Sequence, residues 1–458
     1  MNKSFFLSIS FVVILNCAYG QTRQEKQLAK AIDELLSGQF KPTDPGCAAL
    51  VAKKGQIIYK KSFGSADLEL NVVMKPDMIF RLGSITKQFT SVAILQLAEQ
   101  GKITLQDSIQ KYIKGFPAKG YTITIENLLT HTSGIREYTQ LDIPDPFIRR
   151  KDLAPEEIID LFKNEPLEFQ PGTKFKYSNS GYFLLGYIIE LITHKKYVDF
   201  IQETISKPLG LANTYYEDFT QIIPNRVNGY KKENNTYENA DFQSVTIPYS
   251  AGSLLSNVED LYKWHKALYN YSLLKKATLQ KAFTPFKLND STTTNYGYGW
   301  FVVEMNGNES IQHGGNINGF RSNEIYFPKE DVFIATLCNC ECAPMEELSS
   351  QIGSLSIGKI PDEKGIDINE AILNSYTGTF VSPLDPKRPL IISKEGNRLY
   401  AAVRGEWKAE LIALSETKFN VKNIRPAGIA EFFKDVNGKI IKLIMTQSGK
   451  QYELTKAE

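Results

Sequence analysis

Five cysteines and four histidines in 458 residues leave little material for a metal centre. The histidines, His131, His194, His265 and His313, are scattered and form no His-x-x-x-His pair. The run Cys338-Asn339-Cys340-Glu341-Cys342 lacks the Cys-x-x-Cys spacing usual in structural zinc sites. Neither a metal nor another cofactor is expected. Charge of one sign is also missing. The net charge is +2, with acidic and basic residues interspersed, which gives no footprint for nucleic acid or an anionic membrane. Repeats of fixed period and low-complexity tracts are absent. What is present is globular material, 42% hydrophobic and 23% charged, enough for a large core. At about 150 residues per domain the length suggests about three structural units.

Long apolar runs are confined to the N-terminus. Lys3 precedes FFLSISFVVIL, too short to span a bilayer comfortably, and the stretch ends in Ala18-Tyr19-Gly20. This reads as a secretory signal peptide, residues 1–20, cleaved after Gly20. A lipoprotein signal with Cys17 as the modified residue is the alternative, and Asn16 fits it poorly. No later segment is long and apolar enough to cross a membrane. The expectation is an exported protein, periplasmic or extracellular.

The segment GCAALVAKKGQIIYKKSFG from Gly46 alternates around Lys-Lys-Gly and predicts a β-hairpin. SITKQFTSVAILQLAEQG predicts a helix with Ser84 as its cap and Gly101 as its stop. Helical patterns then dominate residues 105–290, in APEEIIDLF, GYFLLGYIIELI and VEDLYKWHKAL. Strand patterns return at YGYGWFVVEM, ESIQHGG, FRSNEIYF and DVFIATLC, followed by a helix at PMEELSSQIGSL. Strands at both ends of a helical insert predict an α/β unit over residues 21–357, an antiparallel sheet flanked by helices. A polar linker, 358–370, leads to alternating segments broken by Gly and Asn. These predict a small all-β meander or barrel over 371–458.

Ser84 and Lys87 lie one helical turn apart, within side-chain reach of each other. Ser-x-x-Lys alone decides nothing, because it begins at Ser84, Ser108, Ser272, Ser356 and Ser415. Three further stretches discriminate: FQPGTKFKYSNSGYFLLG with Tyr177-Ser178-Asn179, IQHGGNINGF with His313-Gly314-Gly315, and ENLLTHTSGI with His131. In this order they resemble the serine hydrolases of the class C β-lactamase and penicillin-binding-protein type, whose signature is Ser-x-x-Lys, Tyr-x-Asn and Lys/His-x-Gly. The resemblance extends over roughly residues 30–355 and implies the β-lactamase/transpeptidase-like fold. Its C-terminal counterparts look like accessory, lipocalin-like domains.

Residue chemistry runs beside this resemblance. The Ser84 hydroxyl needs an adjacent base to attack, and a partly desolvated Lys87 can supply one. Tyr177 is a second base if surrounding cations lower its phenol, and His313 would complete the hydrogen bonds around it. Asn179 offers a donor and an acceptor to a substrate amide. The resemblance places oxyanion donors at the backbone of Ser84 and Asn316, with Gly315 permitting close approach. Plainer readings compete: Ser84 as a helix cap, Lys87 as a solvated lysine, Tyr177 as a packed tyrosine, Gly314-Gly315 as a strand end or bulge. His131 is read as structural.

The function so implied is a secreted hydrolase that acylates Ser84 and cleaves an amide, peptide or ester of a small-molecule or peptide substrate. A penicillin-binding sensor that acylates without turnover is one alternative, and an apolar-ligand binder centred on the C-terminal domain is another. Many relatives carry threonine at the middle of Lys/His-x-Gly, where its hydroxyl helps hold a substrate carboxylate. Gly314 has no side chain, which implies D-amino-acid peptides, amides and small esters before β-lactams, unless Arg321 compensates. The family's strand order further implies a disulfide between Cys47 and one of Cys338, Cys340 or Cys342.

Overall fold

The computed structural model describes residues 22–143, 145, 147–359, 368–383, 385–403, 407–422, 428–447 and 450–457. The expected signal peptide, Cys17 included, and most of the expected linker lie outside the described residues.

Cys47–Lys53 and Gln56–Phe63 form the expected hairpin. Its turn places Lys54 and Gly55 at φ 50° and 78°, the left-handed pair that matches strand twist. Cys47–Lys53 then pairs antiparallel with Val332–Cys338, from Cys47 against Cys338 to Lys53 against Val332. Beyond that strand the sheet continues through Phe320–Phe327 and Asn308–Ile317 to Phe301–Met305, six strands in all. The sheet is thus assembled from the first and last parts of the N-terminal α/β unit, with the helical insert between them.

Period-two sorting explains why the first strand is buried on both faces. Ala48, Leu50 and Ala52 enter the core shared with the helical insert. Cys47, Ala49 and Val51 face the helices Arg23–Gln39 and Met345–Ser356 across a second core. Between sheet and insert runs the helix Thr86–Glu99, buried on nearly every side. It packs against Asn179–Thr193 and the short helix Tyr249–Gly252. Such a helix has almost no solvent face on which a charged residue could rest.

Two strand expectations need correction. In YGYGWFVVEM only Phe301–Met305 is a strand. The Gly297 N–H turns back to the Trp300 carbonyl at 2.9 Å and Gly299 takes φ 96°, so the glycines make a tight loop instead. Gly314-Gly315 neither ends a strand nor bulges it, because the pair stays in register with Asn323 and Ser322 and the strand runs on to Ile317.

The C-terminal region closes into an eight-stranded barrel from Gly378–Ser382 to Lys450–Lys456, with Phe380 opposite Lys456 at the seam. The helix Glu370–Tyr376 belongs to it. The Tyr376 ring lies 4.6 Å from Phe432 and 5.5 Å from Phe419, and its hydroxyl donates to the Glu416 carbonyl. These rings occupy the interior, the usual filling of a small barrel, and count against an apolar-ligand carrier. Among the described residues, no buried residue of this core is shared with the two cores on either side of the six-stranded sheet.

The cysteines pair differently from the family-based expectation. Cys340 is bonded to Cys342, and Cys47 and Cys338 are buried thiols. Cys338 faces Cys47 across the ladder, but its sulfur is turned to accept from the Cys340 N–H at 3.3 Å. Burial pushes the Cys338 thiol up to about 12, and that of Cys47 well above its usual range.

Two outcomes are expected. Peptide mapping under non-reducing conditions should recover Cys340 linked to Cys342 and alkylate Cys47 and Cys338 only after unfolding. A Cys47 crosslink would contradict this pairing. Tyr376→Ala should destabilise the barrel by about 3–5 kcal/mol in urea, as aromatic truncations in cores do, without changing reactivity at Ser84. Coupled loss of both would show that the two cores are one folding unit.

Candidate active site

Ser84 does not cap its helix. It sits in the single turn Gly83–Ile85, and the helix starts behind Ile85 with no side-chain cap. The Ser84 side chain is therefore left for Lys87. Lys87 Nζ lies 2.9 Å from Ser84 Oγ, 2.8 Å from Asn179 Oδ1 and 2.8 Å from the Ala251 carbonyl. The residue is 0% exposed. Burial pulls its ammonium down to about 7, against the Glu137 carboxylate, which favours the charged form. Of the five Ser-x-x-Lys pairs, only Lys87 brings its side-chain amine to the hydroxyl of its own serine among the described residues. Ser415 accepts from nearby backbone and Ser356 donates to Ile352.

Tyr177 and Asn179 flank Ser178, whose hydroxyl accepts from the Gly181 N–H at 3.4 Å and starts the helix Asn179–Thr193. That start points the pair at Lys87. The Tyr177 ring centroid lies 4.9 Å from Lys87 Nζ. Its buried hydroxyl meets no partner at hydrogen-bond geometry, although Ser84 is near enough to favour ionisation. Burial outweighs that influence and pushes the phenol well up. The condition set for a Tyr177 base, a phenol lowered by surrounding cations, is therefore not met.

His313 is beside Tyr177, with ring centroids 6.1 Å apart, but it is bonded elsewhere. Its Nδ1 lies 2.6 Å from the Gly314 carbonyl, which can only accept. In the neutral ring Nε2 is then the acceptor, and it takes the Tyr296 hydroxyl at 3.0 Å. His131 keeps its structural reading: Nδ1 accepts from the Ser178 N–H at 3.0 Å, and the ring lies 4.2 Å from that of Tyr177. Burial, with Lys87 and His313 nearby, holds it well below the usual histidine range.

The strand carrying Gly315 and Asn316 is pressed against the Ser84 turn. A Cβ at Gly83, whose φ is 54°, would meet Asn316 N at 2.9 Å. One at Gly315 would meet the Leu82 carbonyl oxygen at 1.9 Å. Glycine at both positions lets the two backbone segments approach closely, the approach that an oxyanion hole shared by them requires. Gly314 differs, since a Cβ there meets nothing nearer than Asn323 Oδ1 and Glu346 Oε1, both at 3.5 Å. Arg321 does not fill the gap. Its Nε donates to the Glu341 carbonyl at 2.9 Å, and its charge rests beside Glu341 and Glu346.

The beta-lactamase family model matches residues 29–349 of this chain. The chain belongs to the beta-lactamase family. Penicillin-binding protein 4* of Bacillus subtilis is 30% identical over 401 residues, covering 81% of this chain and 86% of the relative. The octameric penicillin-binding protein homologue from Pyrococcus abyssi aligns with a TM-score of 0.66 at 26% identity, over 94% of this chain and 99% of that one. A D-stereospecific amidohydrolase from Streptomyces sp. aligns at 0.61 and 26% identity, over 72% of this chain and 98% of that one.

Within this beta-lactamase-family site, sequence reasoning missed Glu137, Tyr296 and the Ala251 carbonyl. Glu137 stands six residues past His131, and that proximity was its only signal. Tyr296 is one tyrosine among 23, and a backbone carbonyl carries no sequence signal.

The two adjacent glycines should respond oppositely. Gly315→Ala is expected to abolish covalent labelling of Ser84, because the backbone clash moves the strand. Gly314→Ala should retain labelling and melt close to the wild type. Equal tolerance at both positions, read by labelling rate and thermal melting, would contradict the described packing.

Proposed function

We propose that this beta-lactamase-family enzyme is an exported serine hydrolase that forms an acyl-enzyme on Ser84 and acts on D-amino-acid amides or peptides, or small esters. The contact set of Lys87 Nζ carries the reading. Asn179 Oδ1 and the Ala251 carbonyl can only accept, so a neutral Lys87 amine gives them its two N–H groups. Its lone pair then faces Ser84 Oγ. Lys87 takes the Ser84 proton as Oγ bonds to the substrate carbonyl carbon. The Ser84 and Asn316 N–H groups receive the developing oxyanion. Tyr177, kept neutral by burial, passes a proton to the leaving nitrogen or oxygen as that bond breaks, and recovers one from Lys87. A water molecule then repeats the sequence on the acyl carbon, with the same groups returning the proton to Ser84.

Gly314 and Arg321 support the substrate preference. No hydroxyl stands at position 314, and Arg321 is held by Glu341. A missing hydrogen bond to a charged group costs about 1.5–3 kcal/mol, which weakens binding of carboxylate-bearing β-lactams. The D-stereospecific amidohydrolase among the structural neighbours supports an amide substrate. Export rests on the N-terminal sequence pattern.

Ser84→Ala should lower hydrolysis of a D-aminoacyl anilide and a short-chain nitrophenyl ester by about 10³-fold or more while the protein stays folded. Wild-type kcat/KM should rise with pH through about 7, as Lys87 loses its proton. Both substrates should be turned over faster than a chromogenic cephalosporin. Full activity in Ser84→Ala removes the nucleophile, and a wide margin for the cephalosporin removes the substrate preference. A burst without turnover on every substrate would make the protein an acylated sensor instead.

A further inference from the structure

The segment from His131 to Glu137 lies along Tyr177-Ser178-Asn179 and satisfies its backbone in sequence. The Lys176 N–H donates to the His131 carbonyl at 3.0 Å, and the Ser178 N–H to His131 Nδ1 at 3.0 Å. The Asn179 N–H donates to Glu137 Oε2. Ser180 continues the seam, accepting from the Tyr138 N–H at 2.9 Å and donating to the Arg136 carbonyl at 2.7 Å. The opening N–H groups of a helix have no partners within it, so they need such a surface. Backbone satisfaction alone does not require a carboxylate, however. His131 does the same work for Ser178 with a neutral ring nitrogen.

What distinguishes Glu137 is its second oxygen. Oε1 accepts from Asn179 Nδ2 at 3.3 Å, from the Thr139 N–H at 3.1 Å and from the Thr139 hydroxyl at 2.8 Å. Glu137 is 3% exposed, and the partners described around its carboxyl oxygens are all donors. An asparagine amide has two faces of nearly equal shape, and only its partners decide which way it points. A carboxylate on one side admits only the NH2 end. The oxygen end is thereby turned to Lys87, at 2.8 Å. With the amide reversed, an N–H would face Lys87, draw its lone pair and compete with Ser84 for it.

We propose that Glu137 is a positioning residue of this site, fixing the Asn179 amide so that Lys87 directs its lone pair at Ser84. This rests on the reading of Ser84 and Lys87 as nucleophile and base. Tyr177 and Tyr182 present rings to Lys87, and His131 and His313 lie beside the Tyr177 ring. Among these neighbours Glu137 is the group that favours the protonated amine against burial. Removing its charge therefore lowers the pH at which Lys87 deprotonates.

The test is the pH dependence of Ser84 labelling by a fluorophosphonate, which needs no knowledge of the natural substrate. In the wild type the rate should rise through about 7. In Glu137→Gln the maximal rate should fall by about 10²-fold, the scale of a misplaced catalytic group. Its acid limb should move down by about one pH unit, the lower end of what a neighbouring opposite charge provides. Glu137→Asp keeps the charge but falls one methylene short of Asn179, so its rate should drop while the limb stays. A Glu137→Gln protein that labels slowly with an unmoved limb would assign the residue a merely structural role and overturn the proposal. If that variant does not fold, Glu137→Asp decides, and a wild-type rate in it overturns the proposal. Absence of labelling in the wild type would instead overturn the underlying reading of Ser84, and this inference with it.

Discussion

Everything in the catalytic region is arranged around one buried amine. Lys87 lies on a helix with almost no solvent face, and its charged form is disfavoured there. The sign of the linkage shows what this costs the fold. The unfolded chain binds the Lys87 proton up to the ordinary lysine range, and the folded chain only up to about 7. The penalty is therefore complete below that pH and fades as pH rises toward 10.5. A buried lysine with no acceptors would be expelled or replaced. Here three oxygens, from the Ser84 turn, the Asn179 amide and the Ala251 carbonyl, make it tolerable and fix its direction.

The sheet supplies the rigidity that this arrangement needs. Its first strand is interior because Cys47–Lys53 is clamped between the hairpin partner Gln56–Phe63 and Val332–Cys338. The strand bearing His313 and Gly315 is three strands away from it in the same sheet. Gly83, Leu82 and Gly315 then lock that strand to the nucleophile turn through contacts that leave no room for a side chain. The helical insert brings the remaining groups from the other side. Active-site geometry is set where sheet and insert meet, and the barrel, with its own core, shares none of it.

Much of this was legible in the sequence. The hairpin at Lys54-Gly55, the helices at Pro155–Phe162, Asn179–Thr193 and Val258–Tyr269, and the strands at Phe320–Phe327 and Val332–Cys338 follow from periodicity and turn chemistry. Ser84, Lys87, Tyr177 and Asn179 could be chosen because Ser-x-x-Lys followed by Tyr-x-Asn resembles the family's signature. What stayed hidden depends on tertiary contact. Ser84 looks like a cap because Ser before an apolar run usually is one, and only the preceding turn, with Gly83 left-handed, reassigns it. The Tyr296–His313 bond joins residues with no shared pattern, and so does the bond from Asn179 to Glu137. The cysteine pairing turned on a side-chain rotation at Cys338, which strand order alone does not specify.

The most direct test of the account is the titration of Lys87 itself. Proteins carrying ¹³C at lysine Cε, compared with Lys87→Arg to assign the resonance, report its charge without any substrate. The account expects one lysine to change protonation near about 7 while the surface lysines remain charged. A Lys87 resonance that stays that of an ammonium up to the ordinary lysine range, near 10.5, would contradict it.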